Sequence, residues 1–129
     1  MANKVTTSAA NGNYDERTDV FYGAENVLKT ELQIFSNATE KIDSCMNFTR
    51  PQLAVELELI KKAFMDAKTR GLRIRYLTEI TPENVSFCKE LVSIVDELRH
   101  LDGIKGNFMI SQSEYCAPLI LYRKAEKRR

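Results

Sequence analysis

Apolar positions in this chain follow two rhythms in turn, one near 3.6 residues and one of two. Val27, Leu28, Ile34, Phe35 and Ala38 keep close to a three–four spacing, with Glu31 and Gln33 off that face, and predict an amphipathic helix over Val20–Ala38. The polar break Asn37-Ala38-Thr39 ends it, and the short mixed run Lys41–Phe48 suits a strand. Pro51 then occupies a first-turn position, where its missing N–H is harmless. Leu53, Leu57, Ile60, Phe64 and Ala67 fall four, three, four and three apart, a single stripe expected to face a sheet. Glu58 and Lys62 form an i,i+4 pair in the favourable order. Lys68 and Arg70 suit the C-terminal dipole, and Gly71 supplies a left-handed cap.

Leu72–Leu77 alternates and reads as a second strand. Thr81-Pro82-Glu83-Asn84 is a helix start: capping hydroxyl, proline at the first position, acid in the first turn. Val85, Cys88, Leu91, Val92 and Val95 make the buried face of that helix. Leu98–Leu101 fits a short strand or the last helical turn. Phe108–Ser111 and Glu114–Ala117 fit two strands joined by Gln112-Ser113, and Leu119–Tyr122 fits a strand edge or the start of an output helix. Strands separated by helical segments of about 20 residues need crossovers, so the sheet is parallel or mixed. The expected class is α/β: a three-layer sandwich with a mixed, partly parallel sheet flanked by helices on both faces.

Length changes this picture little. At 129 residues and 43% hydrophobic, the chain suits one domain, expected over residues 15–122. Residues 1–14 are polar and rich in Asn, Thr and Ser, which predicts a disordered tail, and residues 123–129 predict the start of a linker or output helix. The net charge of +1 gives no drive toward nucleic acid or membrane, although Tyr122–Arg129 holds five basic residues against one acid. Three cysteines, widely spaced, give neither a disulfide framework nor a zinc-ligand rhythm. With no apolar run near the ~20 residues of a membrane span and no signal-peptide core, a cytoplasmic location is expected.

Ligands of such sheets bind beyond the carboxyl ends of the strands. The residues expected there are Asn47, Thr49 and Arg50 after the first strand, Thr78, Glu79, Thr81 and Asn84 after the second, and Lys105, Asn107 and Ser111 from the Leu98–Ala117 region. The helices behind Pro51 and Pro82 aim N–H groups at the same edge, which suits an anion or a carboxylate. Each residue taken singly reads as a cap or a solvated turn before it reads as a ligand. His100 is the only histidine, and Asp102 is placed to orient it, although a satisfied structural histidine is the favoured reading; no nucleophile lies near it in sequence. Cys88 and Cys116 fall on apolar faces, as inert buried thiols do. Gly103-Ile104-Lys105-Gly106 matches no nucleotide fingerprint. Aromatic and basic residues do not interleave on any strand, which speaks against an RNA-binding sheet. No catalytic residue, metal or cofactor is expected.

Three blocks carry a resemblance: ERTDVFYGAENV, RIRYLTEITPENVSFCKEL and VDELRHLDGIKGNFMISQSEYCAP. They resemble the N-terminal sensory region of archaeal soluble histidine kinases, over roughly Asp15–Tyr122. In layout the chain is also similar to the phospholipase-D-like effector domain of archaeal sugar-sensing transcription regulators. The resemblance implies a phospholipase-D-like fold, whose catalytic signature is histidine-x-lysine followed by an aspartate. Lys105 stands at the lysine position, Gly103 where histidine belongs, and Ile110 or Ser111 where the aspartate belongs. The resemblance therefore implies a catalytically inactive domain that senses a small molecule or anion. Its output would pass through the C-terminal segment to downstream kinase or response-regulator machinery, with kinase activity residing in a region outside this chain. A homodimer is left open. The alternative is a phosphodiesterase-like hydrolase that completes a site around His100 and Lys105 as a dimer. A third is a transcription regulator that binds DNA through the basic tail.

Overall fold

Alternation in two central segments builds the middle of a sheet. Ile42, Ser44 and Met46 in β3 (Lys41–Met46) are buried, as are Ile74, Tyr76 and Thr78 in β4 (Arg73–Thr78), while the residues between them point the other way. The computed structural model describes residues 4–11, 14–21 and 23–117. β5 (Glu97–His100), β6 (Phe108–Ser111) and β7 (Tyr115–Cys116) complete the sheet, in the order β5-β4-β3-β6-β7. β3, β4 and β5 run parallel, β6 is antiparallel to β3, and β7 is antiparallel to β6. The chain is thus α/β, with a mixed, partly parallel sheet and helices packed against it.

The helices are α1 (Ala24–Asn37), α2 (Arg50–Glu56), α3 (Glu58–Thr69) and α4 (Val85–Val92). Ile34 and Phe35 of α1, Val55 of α2, Phe64 of α3 and Leu91 of α4 share one core with Ile42, Ile74, Tyr76 and Met109 of the sheet. The ring of Phe64 lies 4.7 Å from that of Phe35 and 6.1 Å from that of Tyr76, joining two helices to the sheet. All of these helices cover the face that carries Ile42, Ile74 and Tyr76. Among the described residues no helix covers the other face, which presents Asp43, Cys45, Arg75, Leu77, Phe108 and Ile110.

Several boundaries differ from the sequence expectation. Val20 and Phe21 belong to β2 (Tyr14–Phe21), so α1 starts at Ala24. β2 pairs antiparallel with β1 (Lys4–Asn11), and β1 falls inside the segment expected to be a disordered tail. Glu31, expected on the polar face of α1, is buried at 2% exposure, because Leu28, Glu31, Phe35 and Ala38 form their own 3-4-3 stripe.

The helix expected from Pro51 onward is two helices. Leu57 is extended, at φ −82° and ψ 111°, and resets the phase between them. Pro51, Ala54 and Val55 face inward before the break, and Ile60, Phe64 and Ala67 after it. Leu53 and Leu57, expected in the core stripe, are 43% and 38% exposed. Lys62 pairs with Asp66 at 3.2 Å, the expected Glu58 partner being replaced. Gly71 does adopt the left-handed conformation at φ 90°, with Leu72 N–H bonded to Ala67 O and Gly71 N–H to Lys68 O. Arg70 donates to Phe35 O at 2.6 Å and Ala38 O at 3.2 Å, so it closes the C-terminus of α1 and not that of its own helix.

Candidate functional site

Parallel pairing brings the carboxyl ends of β3, β4 and β5 to one edge, at Met46, Thr78 and His100. β6 starts at that edge because it runs the other way. Three loops meet there, and three buried asparagines tie them together. Asn107 Oδ1 accepts Asn47 N–H at 2.9 Å, which joins the loop before β6 to the loop after β3. Asn84 Nδ2 donates to Phe48 O at 2.8 Å and to Glu79 O at 3.0 Å, joining the loops after β3 and β4. Asn47 Oδ1 accepts from both the backbone N–H and the hydroxyl of Thr49, at 2.9 and 2.6 Å. Thr78 is fully buried and donates its hydroxyl to Asn47 O at 3.3 Å. Primary amides suit this work: each both donates and accepts, so one side chain bridges two loops.

The start of α4 is built the same way. Thr81 Oγ1 accepts Asn84 N–H at 3.2 Å while Asn84 Oδ1 accepts Thr81 N–H at 2.8 Å, a reciprocal pair of the capping-box kind. The expected capping hydroxyl is therefore present, although the α-helix proper begins only at Val85. Glu79 accepts Gly103 N–H at 3.1 Å, which draws the β5–β6 loop inward.

His100 stands beside this rim with both nitrogens engaged. Its Nδ1 accepts Ile80 N–H at 3.0 Å, and its Nε2 lies 2.8 Å from Asp102 Oδ1. The Ile80 contact fixes the proton on Nε2, from where it is donated to Asp102. Lys105 is exposed in the β5–β6 loop and makes no hydrogen bond or ion pair among the described residues.

The fold thus gathers Thr49, Thr78, Glu79, Thr81, Asn84, Lys105 and Asn107 at one edge. Two of the expected ligand residues lie elsewhere. Ser111 ends β6 at the opposite edge, opposite Ile42, and its hydroxyl accepts Ser113 and Glu114 N–H in the β6–β7 turn. Arg50 turns into the helix layer, where Nη2 donates to Glu31 Oε2 at 2.5 Å, with side-chain exposures of 13% and 2%. Burial pushes the Glu31 carboxyl above its ordinary range, and Arg50 pulls it part of the way back. Sequence reasoning missed Glu31; its place in the 3-4-3 stripe was the available signal.

Ser44 Oγ, on a strand position flanked by Tyr76 and Met109, is buried and has no hydrogen-bond partner among the described residues. Burial raises the Tyr76 phenol, and it pushes the Cys116 thiol up to about 12. Cys88 is raised by burial too, and its thiol contacts Asn84 Oδ1 at 3.6 Å. Thiols held protonated in this way are poor nucleophiles at neutral pH. Among the described residues, no group of three or more His, Cys, Asp or Glu side chains is placed to hold a metal ion. Nor does any described helix have the length and apolarity to cross a membrane.

No family model, curated protein or solved structure matches this chain.

Proposed function

We propose that this protein is a catalytically inactive ligand-sensing or interaction module of the two-component sensor type, acting in the cytoplasm. It takes a small anion or carboxylate at the strand-end rim and passes the signal through its C-terminal segment to kinase or response-regulator machinery. One observation carries the ligand reading. Asn47, Asn84 and Asn107 lock three loops into a single rim, beside which Lys105 is left exposed and uncommitted. A preorganised rim with one free cation costs little to order when an anion binds. The resemblance of the three sequence blocks to archaeal kinase sensor regions supplies the signalling part.

Thermal-shift measurements on the full chain test this, with inorganic phosphate, sulfate, simple carboxylic acids and sugar phosphates as probes. Saturation at ~100 times Kd adds about 2.7 kcal/mol of stability. A probe that raises the midpoint in the wild type and not in Lys105→Ala is the expected result. No shift with any probe class, or a shift indifferent to Lys105→Ala and Thr81→Ala, would refute it.

The second reading, a phosphodiesterase-like hydrolase, draws on the His100–Asp102 pair at 2.8 Å. It requires His100 to leave Ile80 N–H or Asp102 in order to reach a substrate. Turnover of a generic phosphodiester that disappears in His100→Ala would favour it over sensing.

A further inference from the structure

Parallel strands are almost always covered on both faces, because crossover helices pack against each side. Here β3, β4 and β5 run parallel, and among the described residues helices cover one face alone. The other face is laid out in rows, since residues paired across strands point to the same side. One row runs Arg99, Leu77, Cys45, Phe108, and the next Glu97, Arg75, Asp43, Ile110, Tyr115. Apolar side chains thus gather toward β6 and β7, and Leu77 extends them onto β4. Phe108 and Tyr115 stack at 6.2 Å, yet remain 39% and 52% exposed. Beside them the face opens into a shallow depression of about 350 Å³, lined in part by Leu77, Cys45 and Phe108.

The charges on this face are unequal in number and in reach. Among the described residues, Lys41, Arg73, Arg75 and Arg99 stand against Asp43 and Glu97, an excess of positive charge. The acids are also the more covered partners. Their side chains are 22% and 32% exposed, while those of Arg73 and Arg99 are 65% and 73% exposed. A body approaching the sheet therefore meets guanidinium groups first, and a negative charge draws it in. Residues 118–129 of this chain, with five basic groups against one acid, bring the wrong sign. So does a second copy of the face. A polynucleotide repeats its charge at every unit, and it would hold phosphates over Asp43, which sits mid-row between Arg75 and Ile110. A helix can keep its carboxylates on one flank with an apolar stripe beside them, the arrangement that this face mirrors.

We infer that the open face is the docking surface for an acidic amphipathic helix of a partner protein. Leu77 and Phe108 lie two strand spacings apart, about 10 Å, close to the roughly 11 Å of two helical turns. Apolar residues at i and i+7 of the helix therefore reach both, with Cys45 beneath the turn between them. Carboxylates flanking that stripe meet Arg75, and one at its end meets Arg99, as charge-assisted contacts. The helix fills the layer that a parallel sheet ordinarily draws from its own chain. The face is distinct from the strand-end rim, so this docking does not rest on an anion binding there.

Fluorescence anisotropy with the full chain tests the inference, using a labelled peptide of roughly 20 residues, long enough to be helical alone. Leucines three and four apart form its stripe, and glutamates flank them. Saturable binding is expected below about 1 mM, the limit of weak association. Binding should be at least tenfold weaker when every flanking glutamate is replaced by lysine. The double variant Arg75→Gln, Arg99→Gln and the single variant Phe108→Ala should each weaken it at least tenfold. Leu59→Lys, on an exposed apolar site of α3, should leave it unchanged. Ile110→Ala takes the place of Phe108→Ala should circular dichroism show the latter misfolded. No binding up to that concentration, equal binding of the lysine peptide, or indifference to the face variants overturns the inference. Loss of binding in Leu59→Lys overturns it as well, by moving the peptide to the helix layer. A labelled oligouridylate that binds more tightly than the acidic peptide, and is released by the arginine changes, overturns it in favour of nucleic acid.

Discussion

Arg50 and Glu31 show how much one contact decides in this chain. Truncating Arg50 to Ala leaves the Glu31 carboxylate buried without its cation, and breaking a buried pair costs about 3–5 kcal/mol. Glu31→Gln in the same background should recover much of that loss in a urea melt. The direction of the Glu31 shift fixes a pH dependence as well. A carboxyl raised above its unfolded value of 4.5 binds protons more tightly when folded. Its charged form therefore costs stability as pH rises through 4.5 toward the folded value, and Glu31→Gln should flatten that part of the curve. Asp96 acts in the opposite sense. Its hydrogen bond from Lys68, with that from Ile74 N–H, holds it below 3.8. The stability it contributes is present above pH 3.8 and is lost as pH falls from there through the lowered folded value. Asp96→Asn should blunt the acid limb of a stability–pH series. Asn84→Ala exposes a different cost, because the Phe48 and Glu79 carbonyls and Thr81 N–H lose their partner together. At ~1–3 kcal/mol for each buried group left unpaired, this is expected to be among the most damaging single changes at the rim. Chemical denaturation measures it directly.

At the scale of elements, the break at Leu57 separates what a stripe suggests from what a helix buries. Leu53→Lys should shift stability by less than about 0.5 kcal/mol, as an exposed substitution does. Phe64→Ala, which empties the contact among α1, α3 and β4, should cost roughly 3–5 kcal/mol. Equal effects in a guanidinium melt would mean one unbroken helix. The local sequence held a warning: Val55-Glu56-Leu57-Glu58-Leu59 alternates with period two inside the helical stripe, a strand-like pattern competing with helix. The stripe beyond the break was legible because Ile60, Phe64 and Ala67 keep helical spacing on their own. Gly71 was legible for a purely local reason, since only glycine takes φ 90° freely. Arg70 was not. Its partners are carbonyls some 35 residues earlier, and no local pattern announces a side chain that closes another helix.

For the whole molecule, the two faces of the sheet make the sharpest contrast. Ile74 and Ile110 are both isoleucines on strands, one fully buried and the other 37% exposed. Ile74→Lys should abolish folding, whereas Ile110→Lys should leave the monomer folded with a near-native circular dichroism spectrum. If both unfold the chain, the open face is covered from within. Sequence alone determined the α/β class, the strands around Ile42, Ile74 and Met109, and the polar character of the strand ends. Those features depend on periodicity, caps and turn residues, which act over a few neighbours. Tertiary structure decided the rest. Strand order brought Thr49, Glu79 and Lys105 to one edge and sent Ser111 to the other, because β6 runs antiparallel to β3. Packing drew Arg50 away from the rim to a buried acid on α1, since an ion inside the helix layer must be paired. The open face also had to await the fold: the alternating strands gave two sides to the sheet, but only the placement of the helices determined which one they left bare.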